Sequence, residues 1–151
     1  MSEKRQFISF TLGHEEYGVD IMSIREIKAW TPATPLPEAP PHVRGVIDLR
    51  GTIVPIVDLR ARFHSGITNP TPTHVVIVVA IGSLMVGLLA DAVADIVTVA
   101  TEDIQPVPEI DHSSRQRYLA GLVTVEGRMV VLLDLDRLLE SDAATLAAAC
   151  V

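Results

Sequence analysis

The sequence from Gly45 to Phe63 reads G-V-I-D-L-R-G-T-I-V-P-I-V-D-L-R-A-R-F, and it decides how the rest of the chain is interpreted. Two apolar runs, 46–49 and 52–57, flank the pair Arg50-Gly51. Glycine tolerates the positive φ of a tight hairpin turn, so an X-Gly pair between β-branched runs indicates a two-residue β-hairpin. We therefore expect a hairpin with an arginine at its tip.

The same pattern returns 76 residues later, at 121–139, as G-L-V-T-V-E-G-R-M-V-V-L-L-D-L-D-R-L-L. The first part of the chain matches the region after residue 75 in a second register, offset by 69 residues. That register aligns identical residues of the two copies, namely Ile8 with Ile77, Gly13 with Gly82, Gly18 with Gly87 and Ile27 with Ile96. Both registers run in the same order, so an internal duplication accounts for them better than chance does. Each copy offers about five short strands with tight turns, which is typical of a small closed barrel.

Length and charge exclude several classes of protein. A chain of 151 residues can bury a substantial core as one domain or two very small ones. The uncharged run 75–90 is shorter than a membrane span and is interrupted by Gly82-Ser83 and Gly87, so it predicts a buried hairpin rather than a membrane helix. No export leader is visible, which favours the cytosol. A net charge of -7 without a basic patch argues against nucleic acid as a partner.

The remaining segments give a coarser picture. Residues 22–30 fit either a short helical turn that runs into a strand or a strand throughout, and a proline-rich rigid connector follows. The linker 65–73 divides the two copies, and the strand at 75–81 has the continuous apolar pattern of burial on both faces. A capped C-terminal helix is expected from Ser141 or Asp142, and Cys150 is given no role.

No enzyme is predicted. Asp58 and Asp134 follow apolar runs in the two copies, as in a pseudo-symmetric acid protease, but each precedes a helical turn, so we interpret both as helix N-caps. The five histidines lack metal-ligand spacing, and no phosphate-binding or nucleophile motif occurs, so neither a metal nor a cofactor is expected. On physical grounds alone Arg50 would be an exposed arginine paired with Asp48 on the same strand face. Binding is the function that remains.

Four segments together resemble the CheW family of bacterial chemotaxis coupling proteins. They are Q-F-I-S-F-T-L-G-H-E-E-Y-G-V-D-I-M-S-I-R-E-I, P-H-V-R-G-V-I-D-L-R-G-T-I-V-P-I-V-D-L-R-A-R-F, V-G-L-L-A-D-A-V-A-D-I-V and Y-L-A-G-L-V-T-V-E-G-R-M-V-V-L-L-D-L-D-R-L-L. They stand in the family's order and cover roughly residues 5–140. The resemblance implies a mainly β fold of two intertwined five-stranded SH3-like barrels, with short helical turns and a C-terminal helix. The subdomains would span approximately 16–66 and 74–135, with the N- and C-terminal segments crossing between them.

The resemblance also implies a function and a set of partners. The chain would be a non-catalytic adaptor that couples the cytoplasmic tips of methyl-accepting chemoreceptors to the regulatory domain of the histidine kinase CheA, and other CheW-like domains would adjoin it in array rings. It would be cytoplasmic, recruited to membrane-associated arrays without inserting into the membrane. Hydrolysis by Asp58 and Asp134, or a barrel that carries a small ligand, are the alternative functions.

The family's functional positions transfer to particular residues of this sequence. The arginine of the N-L-R-G motif, tied to receptor contact, is Arg50, and the motif's asparagine is replaced by Asp48. The remaining receptor- or kinase-contact positions fall on a first-half surface, a groove between the barrels and an array contact. These are Ile24, Glu26, Arg44 and Gly45 on the surface, Val75 and Val93 in the groove, and Ile110 at the array contact.

Overall fold

A computed structural model describes residues 3–37, 39–63, 66–107 and 118–139 of the chain. Its ten strands are β1 (Lys4–Leu12), β2 (Glu15–Asp20), β3 (Ile24–Ala29), β4 (Val43–Leu49), β5 (Thr52–Asp58), β6 (Val75–Ile81), β7 (Leu84–Ala90), β8 (Ala92–Ala100), β9 (Leu119–Val125) and β10 (Arg128–Leu133). Two short helices, α1 (Leu59–Arg62) and α2 (Leu135–Leu139), follow β5 and β10. Single 3-10 turns occupy Ile21–Ser23 and Thr101–Asp103.

The strands form two five-stranded sheets whose orders repeat each other. Sheet one runs β8-β1-β2-β10-β9, and sheet two runs β3-β6-β7-β5-β4. Replacing each strand by its counterpart in the other copy converts one order into the other, which confirms the duplication. Adjacent strands are antiparallel except for β2 with β10 and β5 with β7, which are parallel. Each parallel pair joins strands from different copies.

The two copies therefore exchange a hairpin. The β1–β2 hairpin of the first copy lies in sheet one beside β8, β9 and β10, and the β6–β7 hairpin of the second copy lies in sheet two. This arrangement confirms the expected mainly β fold of two intertwined five-stranded SH3-like barrels with short helical turns. The boundaries 16–66 and 74–135 stay a prediction, and the expected C-terminal helix and Cys150 lie outside the described residues.

The hairpin tips have the geometry that the X-Gly pairs predict. Arg50 and Gly51 have φ values of 51° and 88°, and the counterpart pair Glu126 and Gly127 has 50° and 79°. Positive φ at both central residues belongs to a type I′ turn, whose twist matches that of antiparallel strands. Both copies thus end their hairpin in the same turn.

For residues 22–30 the sequence left two alternatives open, and the structure shows the first of them. A helical turn at Ile21–Ser23 runs into β3, and the Asp20 side chain caps it by accepting a 2.9 Å hydrogen bond from the Met22 N–H. The proline-rich connector then pairs with β4 through two 2.9 Å backbone hydrogen bonds between Thr34 and Val46. Gln105 and Leu122 form the same bridge in the second copy. These bridges bring each edge strand's connector back onto the opposite edge, which closes the sheet into a barrel.

The core lies between the sheets and beneath each of them. One cluster of buried side chains draws on both sheets and both helices, and a smaller cluster fills each barrel. Within the shared cluster stands a row of aromatic rings, with centroid separations of 6.0, 5.3 and 6.2 Å, formed by Phe10, Tyr17, Phe63 and Tyr118. Residues 76–79 of β6 are all buried, as the unbroken apolar run predicts.

Candidate partner-binding surface

The tip of the β4–β5 hairpin carries Arg50, held by an acidic side chain from another strand. Its Nη1 donates a 2.8 Å hydrogen bond to Oε1 of Glu26, in β3. The Arg50 side chain is 74% exposed and that of Glu26 is 27% exposed. The hydrogen bond and the charge of Glu26 raise the pKa of the Arg50 guanidinium. Arg50, expected at the receptor contact, and Glu26, expected on the first-half surface, are therefore in direct contact.

The partner of Arg50 corrects one expectation. Asp48 does not take that place, because its Oδ1 accepts a 2.8 Å hydrogen bond from the Gly51 N–H and braces the turn. Glu26 reaches Arg50 because closure of the barrel brings β3 to the hairpin tip. The alternation of side chains along a single strand could not predict this contact between distant strands.

Arg44 and Gly45 lie where β4 is irregular. The register of β4 against β5 shifts between Val43 and Gly45, and Gly45 has a φ of 138°. A Cβ atom there would lie 2.2 Å from the carbonyl oxygen of Thr34. Gly45 thus lets the connector cross β4 at close range. Arg44 is half-buried and lines a cleft with Trp30 and the connector.

Ile24, expected on the first-half surface, and Val75 and Val93, expected in the groove, are half-buried and pack against the shared core. Ile24 and Val93 occupy counterpart positions in the two copies and pair with Val79 and Phe10. Val75 begins β6 and stands between Ala29 and Ala90. Each leaves part of its surface exposed, while Ile110 lies outside the described residues. That these positions contact a partner stays a prediction.

Two pairs of exposed apolar residues were missed by the sequence reasoning. Ile27 and its counterpart Ile96 are 38% and 53% exposed, and Ile53 and its counterpart Met129 are 38% and 59% exposed. The registers of 69 and 76 residues already aligned these positions, so comparing the two copies for apolar residues on outward-facing positions could have found them. The first barrel, built on sheet two, presents Ile27 and Ile53, and the second barrel, built on sheet one, presents Ile96 and Met129 at the equivalent places.

The charges near these pairs differ between the barrels. Arg50 and Glu26 have Glu126 and Asp95 as counterparts, so an ion pair in the first barrel is replaced by two acids in the second. Equivalent backbone positions consequently present different electrostatic surfaces.

Two further sites lie where the two sheets meet. A cleft lies between them, lined by Arg5 and Asp20 of sheet one, by the β6–β7 turn and by the start of α2. Burial raises the pKa of Asp20, but hydrogen bonds from Arg5 and from the Met22 N–H, with the charge of Arg5, outweigh that effect and lower it overall. The Arg5 and Asp20 side chains are 2.9 Å apart.

Asp91 anchors the linker region. Arg60 Nη2 lies 2.7 Å from both carboxylate oxygens of Asp91, and the Gly13 N–H donates a 2.7 Å hydrogen bond to Oδ2. His74 Nε2 lies 3.5 Å from Oδ1, while its Nδ1 accepts a hydrogen bond from the Thr71 N–H. Burial raises the pKa of Asp91, but the hydrogen bonds and the charges of Arg60 and His74 outweigh that effect and lower it overall.

The two candidate catalytic aspartates are engaged as helix caps. Asp58 is fully buried, and its carboxylate accepts hydrogen bonds from the N–H groups of Arg60 and Ala61 at the start of α1 and from Thr68. Asp134 Oδ1 accepts a 3.1 Å hydrogen bond from the Arg137 N–H in α2. The N-cap interpretation is confirmed. Within the described ranges no group of three or more His, Cys, Asp or Glu side chains is placed to hold a metal ion.

Comparison with known proteins gives the family. The model of the CheW-like domain matches residues 6–143. The chain belongs to the CheW family. It is 48% identical over 138 residues to the chemotaxis protein CheW of Rhizobium meliloti (strain 1021), covering 91% of this chain and 89% of that protein. The CheW of Klebsiella aerogenes is 39% identical, covering 91% of this chain and 83% of its own length.

A solved CheW structure agrees with the fold. The crystal structure of the scaffolding protein TtCheW from Thermoanaerobacter tengcongensis superimposes with a TM-score of 0.82 at 28% identity, covering 91% of this chain and 89% of that one. The chain is thus a chemotaxis protein of the CheW scaffold type. In the described part of the chain, no helix is long and apolar enough to cross a membrane.

Proposed function

We propose that this CheW-family chain is a non-catalytic adaptor that couples the cytoplasmic tips of methyl-accepting chemoreceptors to the regulatory domain of the histidine kinase CheA. It acts in the cytoplasm, where receptor arrays recruit it to the membrane surface. The observation that carries the proposal is the Arg50–Glu26 pair, which sets a solvent-exposed arginine in a fixed place on the hairpin tip of a chain matched to CheW over residues 6–143.

The first barrel supplies the receptor-facing surface. Arg50 projects from the tip, and Glu26 is held beside it on β3. A charged group fixed on a rigid scaffold favours selective docking, because little side-chain entropy is lost when a partner engages it. Gly45 contributes by letting the connector pack against β4, which sets the shape of the surface near Arg44.

The second barrel offers a separate docking surface. Ile96 and Met129 form its exposed apolar pair, and Asp95 and Glu126 add negative charge. The corresponding first-barrel region has Arg25 and Lys28 on β3. Two related surfaces of different charge suit contact with two different CheW-like neighbours, such as the kinase regulatory domain and another array member. Ile110 is assigned to the same neighbour contact.

Co-sedimentation tests the proposal. The chain is mixed with particles that display receptor cytoplasmic tips, with and without CheA, while CheA autophosphorylation is recorded. We expect the chain to pellet with the particles and to make kinase activity receptor-dependent. Arg50→Glu should remain folded and lose both effects, because reversing an exposed tip charge leaves the core intact.

Lys4→Glu is the matched control, since it reverses an exposed charge at the start of β1 in the other sheet. It should behave as the unmodified chain. The proposed function would be overturned if the unmodified chain bound neither the particles nor the isolated kinase regulatory domain.

A further inference from the structure

The hairpin tip of the first barrel carries a second charged side chain, Asp48, close to Arg50 in sequence. Asp48 uses Oδ1 to accept the Gly51 N–H, and within the described ranges its carboxylate forms no ion pair. Arg50, two residues away, is engaged with Glu26 instead. The negative charge of Asp48 therefore stands exposed to solvent at the tip.

The turn itself does not require that charge. The counterpart tip forms the same pair of left-handed conformations at Glu126 and Gly127, with the neutral residue Thr124 at the position of Asp48. A neutral side chain is thus compatible with this hairpin. The carboxylate of Asp48 is a property of the surface rather than a condition of the fold.

An exposed apolar side chain lies next to this charge. Asp48 pairs directly with Ile53 in the β4–β5 register, and directly opposed residues on antiparallel strands place their side chains on the same face. Ile53 is 38% exposed. A partner that covers Ile53 must also approach Asp48, and burying an unpaired carboxylate is costly unless the partner supplies a cation.

We propose that Asp48 and Ile53 form a partner-selecting patch, and that the receptor tip docking there presents an apolar side chain to Ile53 and a lysine or arginine to Asp48. This inference rests on the proposed adaptor function and adds the chemistry of the receptors that the chain accepts. Receptor tips with an acidic residue at that place are disfavoured by like-charge repulsion.

The test uses Asp48→Asn in the full chain with the receptor-tip particles. Asparagine keeps a side-chain oxygen that can accept the Gly51 N–H, so the substitution removes the charge and retains the turn. We expect binding to weaken about fivefold at low salt and the difference to shrink at high salt, because screening acts on an exposed charge pair. Ile53→Ala should weaken binding by a similar factor with no change in salt dependence.

Thr124→Asn at the counterpart position is the matched control and should leave receptor binding unchanged. Asp48→Ser, which also retains an acceptor, replaces Asp48→Asn if that variant melts at a lower temperature. The proposed patch would be overturned if the neutral variant bound the receptor-tip particles as tightly as the unmodified chain, or more tightly, at low salt. It would also be overturned if the variant lost affinity for the kinase regulatory domain alone. Those results leave the adaptor function standing, whereas an unmodified chain that binds neither probe removes both proposals.

Discussion

Asp58 and Thr68 are joined by two hydrogen bonds of 2.8 Å, one from the backbone N–H of Thr68 and one from its hydroxyl. Asp58 ends β5 and caps α1, and both residues are buried. One carboxylate therefore starts a helix and fastens the segment that leads to the second copy.

Asp58→Asn should destabilise the protein by about 3 kcal/mol, since an amide places N–H donors against donors and leaves buried groups unsatisfied. Asp134→Asn is the matched change in the second copy. The Asp134 side chain is 33% exposed, and its carboxylate accepts a helix-cap hydrogen bond from the Arg137 N–H, so the expected loss is about 1 kcal/mol or less. Urea denaturation measures both, and equal losses would contradict the role assigned to Asp58.

Gly45→Ala should be far more damaging than Gly51→Ala, although both glycines have positive φ. At Gly45 the new methyl group would lie 2.2 Å from a backbone oxygen, whereas nothing lies within 4 Å of a Cβ at Gly51. We expect a loss of at least about 3 kcal/mol for Gly45→Ala and about 1 kcal/mol for Gly51→Ala. Denaturation curves of the two variants should thus separate clearly, and a Gly45→Ala protein as stable as Gly51→Ala would refute the close approach of the connector.

Glu26→Gln should release the Arg50 side chain without altering the fold. The ion pair is largely solvent-exposed on the arginine side, so the melting temperature should stay the same. Arg50 should become more mobile, which a lower NMR order parameter of its Nε–H group would report. Asp48→Asn serves as the control because Asp48 contacts the turn and not the guanidinium. An unchanged order parameter in Glu26→Gln would show that something other than Glu26 holds Arg50.

Asp91→Asn should make the free energy of unfolding depend less strongly on pH under acidic conditions. The folded protein lowers the pKa of Asp91 from its ordinary value of 3.8, so the ionised form contributes stability above that value. This contribution is lost as the pH falls through the lower folded-state pKa. The difference in unfolding free energy between the unmodified chain and Asp91→Asn should therefore be constant near neutral pH and shrink below 3.8.

Urea denaturation of both proteins at several acidic pH values measures this difference in unfolding free energy. The variant should retain some acid sensitivity, because the pKa of Asp20 is also lowered. Identical pH dependence in the two proteins would argue against the interactions of Asp91 with Arg60 and Gly13.

Local signals in the sequence predicted much of the fold. The Arg50-Gly51 and Glu126-Gly127 pairs specify their turns through backbone conformation, and Asp58 specifies a helix start through its own hydrogen bonds. These features depend on neighbours in sequence, so a linear reading finds them.

Features that depend on closure of the sheets were harder to predict. The two registers align the copies but do not show which sheet each hairpin joins, because backbone hydrogen bonds between strands do not depend on the side chains. The intertwined arrangement was predicted from the family resemblance instead. Glu26 and Arg50 are 24 residues apart and meet only after the connector has returned to β4. Asp48, nearer in sequence, was the wrong partner for the same reason. The contact roles carried over from the family remain predictions.

The exchange of hairpins makes this chain the single-polypeptide counterpart of a domain-swapped dimer. Neither copy completes a sheet from its own strands, because β1 and β2 are incorporated beside β8 to β10, and β6 and β7 beside β3 to β5. A lone repeat would find its missing strands only in a second molecule of itself. The two barrels consequently fold together or not at all, and a cut in the linker at residues 66–73 would yield two fragments that reassociate rather than two independent domains.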